Sequence, residues 1–206
     1  MNMQSEQTRA WGGEFGDQYA KRSPGSVEAN VEFFKRALPA REWSGRGEIK
    51  TVIEFGAGVG SNLKALKQLL PHADLAAVEI NEQAARSLEG FCRTVSHGSM
   101  LDCTTTETYD LAFTKGLLIH IPIFDLKRAY EVLYRASRKY ILLAEYYSPK
   151  RTEIEYRGMP AMAWKDDFAG HMLDTYPDLK LVEYGFVSRR DQYPQDDLNF
   201  WLMEKP

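Results

Sequence analysis

The stretch TVIEFGAGVGSNLKAL, residues 51–66, passes from apolar to glycine-rich to helical within one short span. The apolar run reads as a strand. Gly56, Gly58 and Gly60 read as a turn whose backbone can take positive φ or approach a ligand closely. Leu63, Leu66 and Leu70 then recur on one face, which reads as a helix over 61–70. A strand that turns through glycines into a helix leaves room for a ligand at the strand end. Several ligand classes use such a turn, so its surroundings must choose among them.

Outward from this stretch the chain alternates. Strands are expected at 74–80, 93–97, 109–115 and 139–147, with helices over 82–91 and 124–136 between them. Short loops and apolar strands in alternation with helices predict a doubly wound, mostly parallel α/β sheet of Rossmann-like type. The segment 148–165, SPKRTEIEYRGMPAMAWK, shows no period and is expected as a loop. A helix near 166–175 follows, and then LKLVEYGFVSR and LNFWLMEK occur with no helix between them. They predict an antiparallel hairpin at one edge of a seven-stranded sheet. Upstream, a helix over 27–38 precedes the first strand. The expected division is therefore an N-terminal lid and helix at 1–45, then a core at 46–206 carrying a substrate loop near 147–165.

A chain of 206 residues, 44% hydrophobic and 27% charged, is ordinary for one globular domain. The net charge of −3 argues against a general nucleic-acid binder, which needs a basic surface. No apolar run reaches the roughly 18 residues a membrane helix requires, and the first residues lack a signal-peptide core. Cys92 and Cys103 have neither metal-ligand spacing nor disulfide partners, so reduced thiols in a cytoplasmic protein are expected. His72, His97, His120 and His171 are scattered, and no metal site is expected.

The glycine loop excludes two ligands in part. A nucleotide-binding P-loop needs Lys-Ser/Thr after its glycines, and none is present. A dinucleotide turn wants its third glycine where Ser61 stands. Three carboxylates instead suit S-adenosylmethionine (SAM). Glu54, at the end of the first strand, can orient the loop and the methionine ammonium. Glu79, at the end of the second, can accept both ribose hydroxyls. Asp102, after the third, can accept the adenine amino group, with Met100 and Leu101 flanking the ring. Asn62 and Ile80 join this cofactor set. A nicotinamide enzyme explains Glu79 as well but gives no special reason for Asp102.

With those residues in place the chain resembles class I SAM-dependent methyltransferases. It is similar more closely to the pseudaminic acid biosynthesis-associated methylase family, through WGGEFGDQYAKR, EFGAGVGSNLKAL, VEINEQAA, YDLAFTKGLLIHI, YILLAEYYSP, EYRG, KDDFAG and YGFVSRRDQYPQDDLNFWLMEK. Relative to that family's pattern, Ser23 stands for Asn, Asp166 for Arg and His171 for Glu, and NFW for TWF. The resemblance implies methyl transfer from SAM, leaving S-adenosylhomocysteine (SAH), onto a small acceptor connected with nonulosonic-acid sugars.

Methyl transfer from a sulfonium is an in-line displacement, in which positioning supplies on the order of 7–11 kcal/mol. Ligands gather at the carboxyl ends of strands near the switch point. Lys115, Gly116 and His120 lie after the fourth strand, where Lys115 and Gly116 also border the cofactor and His120 can act as general base. Glu145, Tyr146 and Tyr147 end the fifth. Glu145 and Tyr146 are assigned to catalysis, and Tyr147, Tyr156, Arg157, Lys165 and Arg189 to the acceptor, the cations forming a clamp for a carboxylate or phosphate. Trp11, Phe15 and Tyr19 are expected over the cofactor, with Arg22 on its carboxylate. The leading expectation is a methyltransferase for a small polar metabolite, an acidic or nucleotide-activated sugar of the nonulosonic (pseudaminic) type. Alternatives are a protein or peptide side-chain methyltransferase, a non-catalytic SAM-binding protein and, last, a nicotinamide oxidoreductase.

Overall fold

The structure, a computed structural model, describes residues 6–22, 26–43, 47–156 and 158–206. Its centre is β1 (Thr51–Phe55), which pairs in parallel with β2 (Asp74–Glu79) on one side and β4 (Tyr109–Lys115) on the other. β3 (Thr94–His97) extends the sheet beyond β2, and β5 (Ser137–Glu145) extends it beyond β4, again in parallel. The last two strands, β8 (Lys180–Val187) and β9 (Leu198–Glu204), complete it antiparallel, with β9 against β5 and β8 at the edge. The order is β3-β2-β1-β4-β5-β9-β8. The expected Rossmann-like sheet and its C-terminal edge hairpin are both found.

Both faces of the sheet are covered. α3 (Val27–Ala37) and α5 (Ser61–Leu69) pack Phe33, Phe34, Leu63 and Leu66 against Val52, Leu111, Phe113 and Leu142. α7 (Ile123–Ala136) and α8 (Phe168–Thr175) pack Leu126, Leu133, Phe168 and Met172 against Ile53, Ile141 and Leu143 on the other face. Neighbouring residues of β1 thus enter opposite cores, as strand geometry demands. Glu54 falls on the side of Val52, where α5 starts.

Two expectations are corrected. α6 (Glu82–Leu88) stops three residues short of 91, because Glu89 leaves the helical region at ψ 134° and Gly90 follows with φ +80°. Phe91 consequently lies outside the helix. The segment expected as an aperiodic loop holds an antiparallel pair, β6 (Thr152–Tyr156) and β7 (Met159–Lys165). The pairing register of this hairpin shifts between Ile154 and Tyr156. Arg151 anchors this pair, donating from Nη1 to Asp166 at 3.0 Å and from Nη2 to Ile121 O at 3.1 Å. At the N-terminus, α1 (Glu6–Gly12) and α2 (Glu14–Arg22) bring Trp11 edge-on to Phe15 and Tyr19, with centroids 5.0 and 5.1 Å apart.

Candidate functional site

The sheet order reverses at β1, because the chain leaves it first toward β2 and later for β4. The crevice at the strand ends there is the natural ligand position. Gly56, Gly58 and Gly60 all take positive φ, at 74°, 52° and 78°. Side chains on them would meet different fates. A Cβ on Gly56 would lie 2.8 Å from Leu117 Cδ1, and one on Gly60 2.3 Å from Leu88 Cδ2, so these two are packing constraints. A Cβ on Gly58 would meet no described atom within 4 Å. Gly58 borders a cavity of about 480 Å³, and that cavity is what its missing side chain leaves clear.

Two carboxylates organise this loop. Glu79 is buried and accepts from Gly58 N and Asn81 N, both at 2.7 Å. Burial pushes its pKa up, and those two N–H groups oppose the shift. Glu54 is fully buried, and burial pushes it up to about 8 against the hydrogen bond it accepts from Asn62 Nδ2 at 2.6 Å. Glu54 Oε2 and Asn62 Oδ1 are buried without a partner among the described residues. Asn62 lines the larger cavity, whereas Glu54 lies behind it and lines neither cavity.

A second, smaller cavity of about 50 Å³ adjoins the first through Trp11, Gly56, Ile80, Leu117 and His120. Its walls include Val78, Met100 and Leu101, and α1 closes it with Gln7 and Thr8. Apolar side chains make up most of its lining.

His120 stands at the junction. Its Nδ1 lies 2.7 Å from Met162 O. A carbonyl only accepts, so Nδ1 carries the proton and Nε2 keeps its lone pair. Burial lowers its pKa to about 4, leaving the imidazole neutral at pH 7. Trp11 and Tyr156 pack on it, with centroids at 4.6 and 4.7 Å. The turn that holds it, Leu118–His120, is itself held by Glu145, which accepts from Leu117, Leu118 and Ile119 N at 3.2, 3.1 and 3.4 Å. Burial raises Glu145 to about 7 against those donors. Lys115 borders the larger cavity, its Nζ 5.4 Å from the Phe33 ring centroid. Burial lowers its pKa, with Glu54, Asp196 and Glu145 opposing.

The structure gathers Tyr19, Gly56, Gly58, Asn62, Glu79, Ile80, Lys115, Gly116 and His120 at the larger cavity, with Met100 and Leu101 at the smaller. It separates others. Asp102 lines neither cavity; its carboxylate accepts from Arg128 at 3.2 Å on the surface. Glu145 faces the backbone of the His120 turn rather than either cavity, which makes it a positioning group. Tyr146 packs beneath Lys165, whose Nζ lies 5.8 Å from its ring, and exposed Tyr147 rests on Trp201. Arg189 is exposed and paired with Asp197 at 3.3 Å. Neither Lys165 nor Arg189, two cations of the expected clamp, lines either cavity. The Arg22 side chain and Arg157 lie outside the described residues. Among the lining residues of the larger cavity that escaped the sequence reading are Asn30, Asn81, Gln195 and Asp196. Asn30 carried a signal, being a polar residue on the buried face of α3.

Among the described residues, no group of three or more His, Cys, Asp or Glu is placed to hold a metal ion, and no helix is long and apolar enough to cross a membrane. The fold is that of SAM-dependent methyltransferases. The magnesium protoporphyrin IX methyltransferase from Synechocystis PCC 6803, solved with bound SAM, is similar over 100% of both chains, with a TM-score of 0.68 and 14% identity. A SAM-dependent methyltransferase from Leishmania major matches 98% of this chain and 86% of its own, with a TM-score of 0.66 and 18% identity. The mitomycin 7-O-methyltransferase matches 92% of this chain with a TM-score of 0.63 and 13% identity, and this chain spans 60% of its length. At such identities the likeness is one of fold. By sequence, the chain matches no protein-family profile and no curated protein.

Proposed function

We propose that the protein is a SAM-dependent methyltransferase acting on a small polar metabolite. The observation that carries this reading is the unit made by Gly58 and Glu79. A left-handed glycine whose Cβ direction opens into the cavity is locked by a buried carboxylate at the next strand end. Glu79 would hold the ribose hydroxyls, and Ile80, Met100 and Leu101 the purine. Gly56 and Asn62 would hold the amino-acid tail, with Glu54 orienting Asn62 from behind. Arg22 is retained as the partner of its carboxylate. Bound there, SAM supplies an electrophilic methyl group.

The chain's own contribution is positioning and one proton. His120 Nε2 takes the proton from an acceptor hydroxyl or amine, and Met162 O holds the ring in the tautomer that leaves Nε2 basic. Trp11 and Tyr156 cover the imidazole and keep water from it. Lys115 and Gly116 shape the floor. Walls from α2, α3 and the 194–196 loop enclose a metabolite-sized space, which supports a small acceptor over a protein side chain. An acidic or nucleotide-activated sugar of the nonulosonic type is the finer form of this reading and rests on the sequence resemblance. Isothermal titration with SAM and SAH tests the proposal: both should bind at one site and compete, and indifference to both refutes it.

A further inference from the structure

The PQDD segment, residues 194–197, joins β8 to β9 and reaches the cavity from the side opposite Glu79. The sheet order gives the cavity a direction. It runs from β2 across β1 and β4 toward the end where the β8–β9 loop hangs. The β2 end carries the groups suited to an adenosine. The loop end is left for whatever receives the methyl.

That loop is tied down more firmly than a connector requires. Asp191 accepts two hydrogen bonds from the Arg36 guanidinium of α3, at 2.8 and 3.0 Å. Gln195 Nε2 donates to the buried Asn30 Oδ1 at 3.2 Å. Asp197 Oδ1 accepts from Ser188 Oγ at 3.1 Å and Arg189 N at 2.9 Å, closing the loop's base. Asp197 is also the one non-glycine among the described residues with positive φ, at 52°. Such strain persists only where surrounding contacts enforce it, and it clusters at functional sites. Asp197 N donates to Gln195 O at 2.9 Å, a three-residue turn centred on Asp196. Gln195 and Asp197 on either side are bound; Asp196 itself is exposed, lines the cavity and has no hydrogen-bond or ion-pair partner among the described residues.

The charges nearby narrow what it can meet. Lys115 is the only Lys or Arg among the described residues lining the cavity, and it already feels Glu54 and Asp196. His120 is neutral. An anionic group at this end would face a carboxylate across a single, compensated lysine.

Building on the proposed methyltransferase reading, we infer that Asp196 is the acceptor-recognition residue: its carboxylate accepts a hydrogen bond from a hydroxyl or ammonium group of the acceptor. The acceptor therefore turns a hydrogen-bond donor, not a carboxylate or phosphate, to the β8–β9 loop. A sugar fits this end through its hydroxyls. The Asn30–Gln195 and Arg36–Asp191 ties fix the loop that carries it.

The test uses the full chain with Asp196→Ala and Asp196→Asn. Because Asp196 has no partner to lose, both variants should melt and bind SAH like the wild type. Small-molecule extract of the source cells is incubated with deuterated-methyl SAM, and the fraction that yields labelled product is titrated. Asp196→Ala should raise the apparent KM for that fraction tenfold or more with kcat changed less than threefold. Asp196→Asn, which retains a carbonyl acceptor, should recover part of the loss. Wild-type KM in Asp196→Ala overturns the inference while leaving the methyltransferase standing. Failure of the wild type to bind SAH sinks the methyltransferase reading, and this inference with it.

Discussion

Two neighbouring glycines should fail in opposite ways when replaced by alanine. Both occupy the left-handed region, which costs a non-glycine residue about 1–2 kcal/mol. For Gly60 a second cost is added: the new Cβ lies 2.3 Å from Leu88 Cδ2, and Leu88 is fully buried, so the core must shift. Overpacking of this kind costs about 1–3 kcal/mol, for a total near 2–5 kcal/mol. At about 2–4 °C per kcal/mol for a chain of this size, Gly60→Ala should lower Tm by roughly 4–20 °C. Gly58→Ala carries only the conformational cost, and its Tm should fall by about 2–8 °C, since its Cβ meets no described atom within 4 Å. Its methyl instead enters the cavity where the amino-acid tail of SAM is proposed to lie. SAH titration should then show a loss of tenfold or more for Gly58→Ala, and a much smaller loss for Gly60→Ala under conditions where it is folded. Calorimetry and titration on the same two variants separate the effects. Wild-type SAH affinity in Gly58→Ala would refute the placement of the ligand beside this loop.

His120→Ala should cut turnover by about 10²–10⁴-fold, the usual contribution of a general base, while SAH affinity stays within a few-fold. Unimpaired turnover removes it from the mechanism. The pH–rate profile of the wild type should show no histidine limb between pH 5 and 8, because His120 titrates near 4; a limb near 6.5 that vanishes in His120→Ala contradicts the burial argument. Glu54 titrates in the folded state near 8, above its ordinary 4.5, so its contribution to stability is complete below pH 4.5 and is lost as pH rises toward 8. Glu54→Gln should therefore flatten the decline of Tm between pH 5 and 8, and an unchanged slope would place that decline elsewhere. Arg151→Ala should leave Asp166 buried without its cation at a cost of about 3–5 kcal/mol, and limited proteolysis should then cut within 152–165 first. Cleavage no faster than in the wild type would show that Arg151 does not anchor the β6–β7 pair.

Residues on the sheet were legible because strand period and glycine spacing are local signals. Glu54, Glu79 and the 51–66 turn could be placed from sequence because a parallel sheet brings successive strand ends to one edge. What failed was the direction of side chains beyond those ends. Asp102 follows the third strand as expected, yet a short 3-10 turn, Met100–Asp102, aims its carboxylate at Arg128 on α7. Glu145 ends its strand as expected, but the N–H groups of the Leu118–His120 turn claim it first. In both cases the competitor lies more than 25 residues away, out of reach of any local pattern. Asp196 was hidden for the converse reason: only the structure shows which of the three consecutive polar residues Gln195, Asp196 and Asp197 is left without a partner.

The same logic explains why β1 and β5, on either side of β4, each carry a buried carboxylate at all. Glu54 and Glu145 are fully buried and both are raised toward neutrality, so each is a liability to the folded state as pH rises. An apolar residue at either position would be easier to bury. It could not, however, accept from Asn62, nor gather three consecutive N–H groups beneath His120. In the proposed reading, one carboxylate sets where the ligand's tail binds and the other sets where the base stands. Both stand on strands of one sheet, β1 and β5 on either side of β4, so their spacing is fixed by the strand ladder itself.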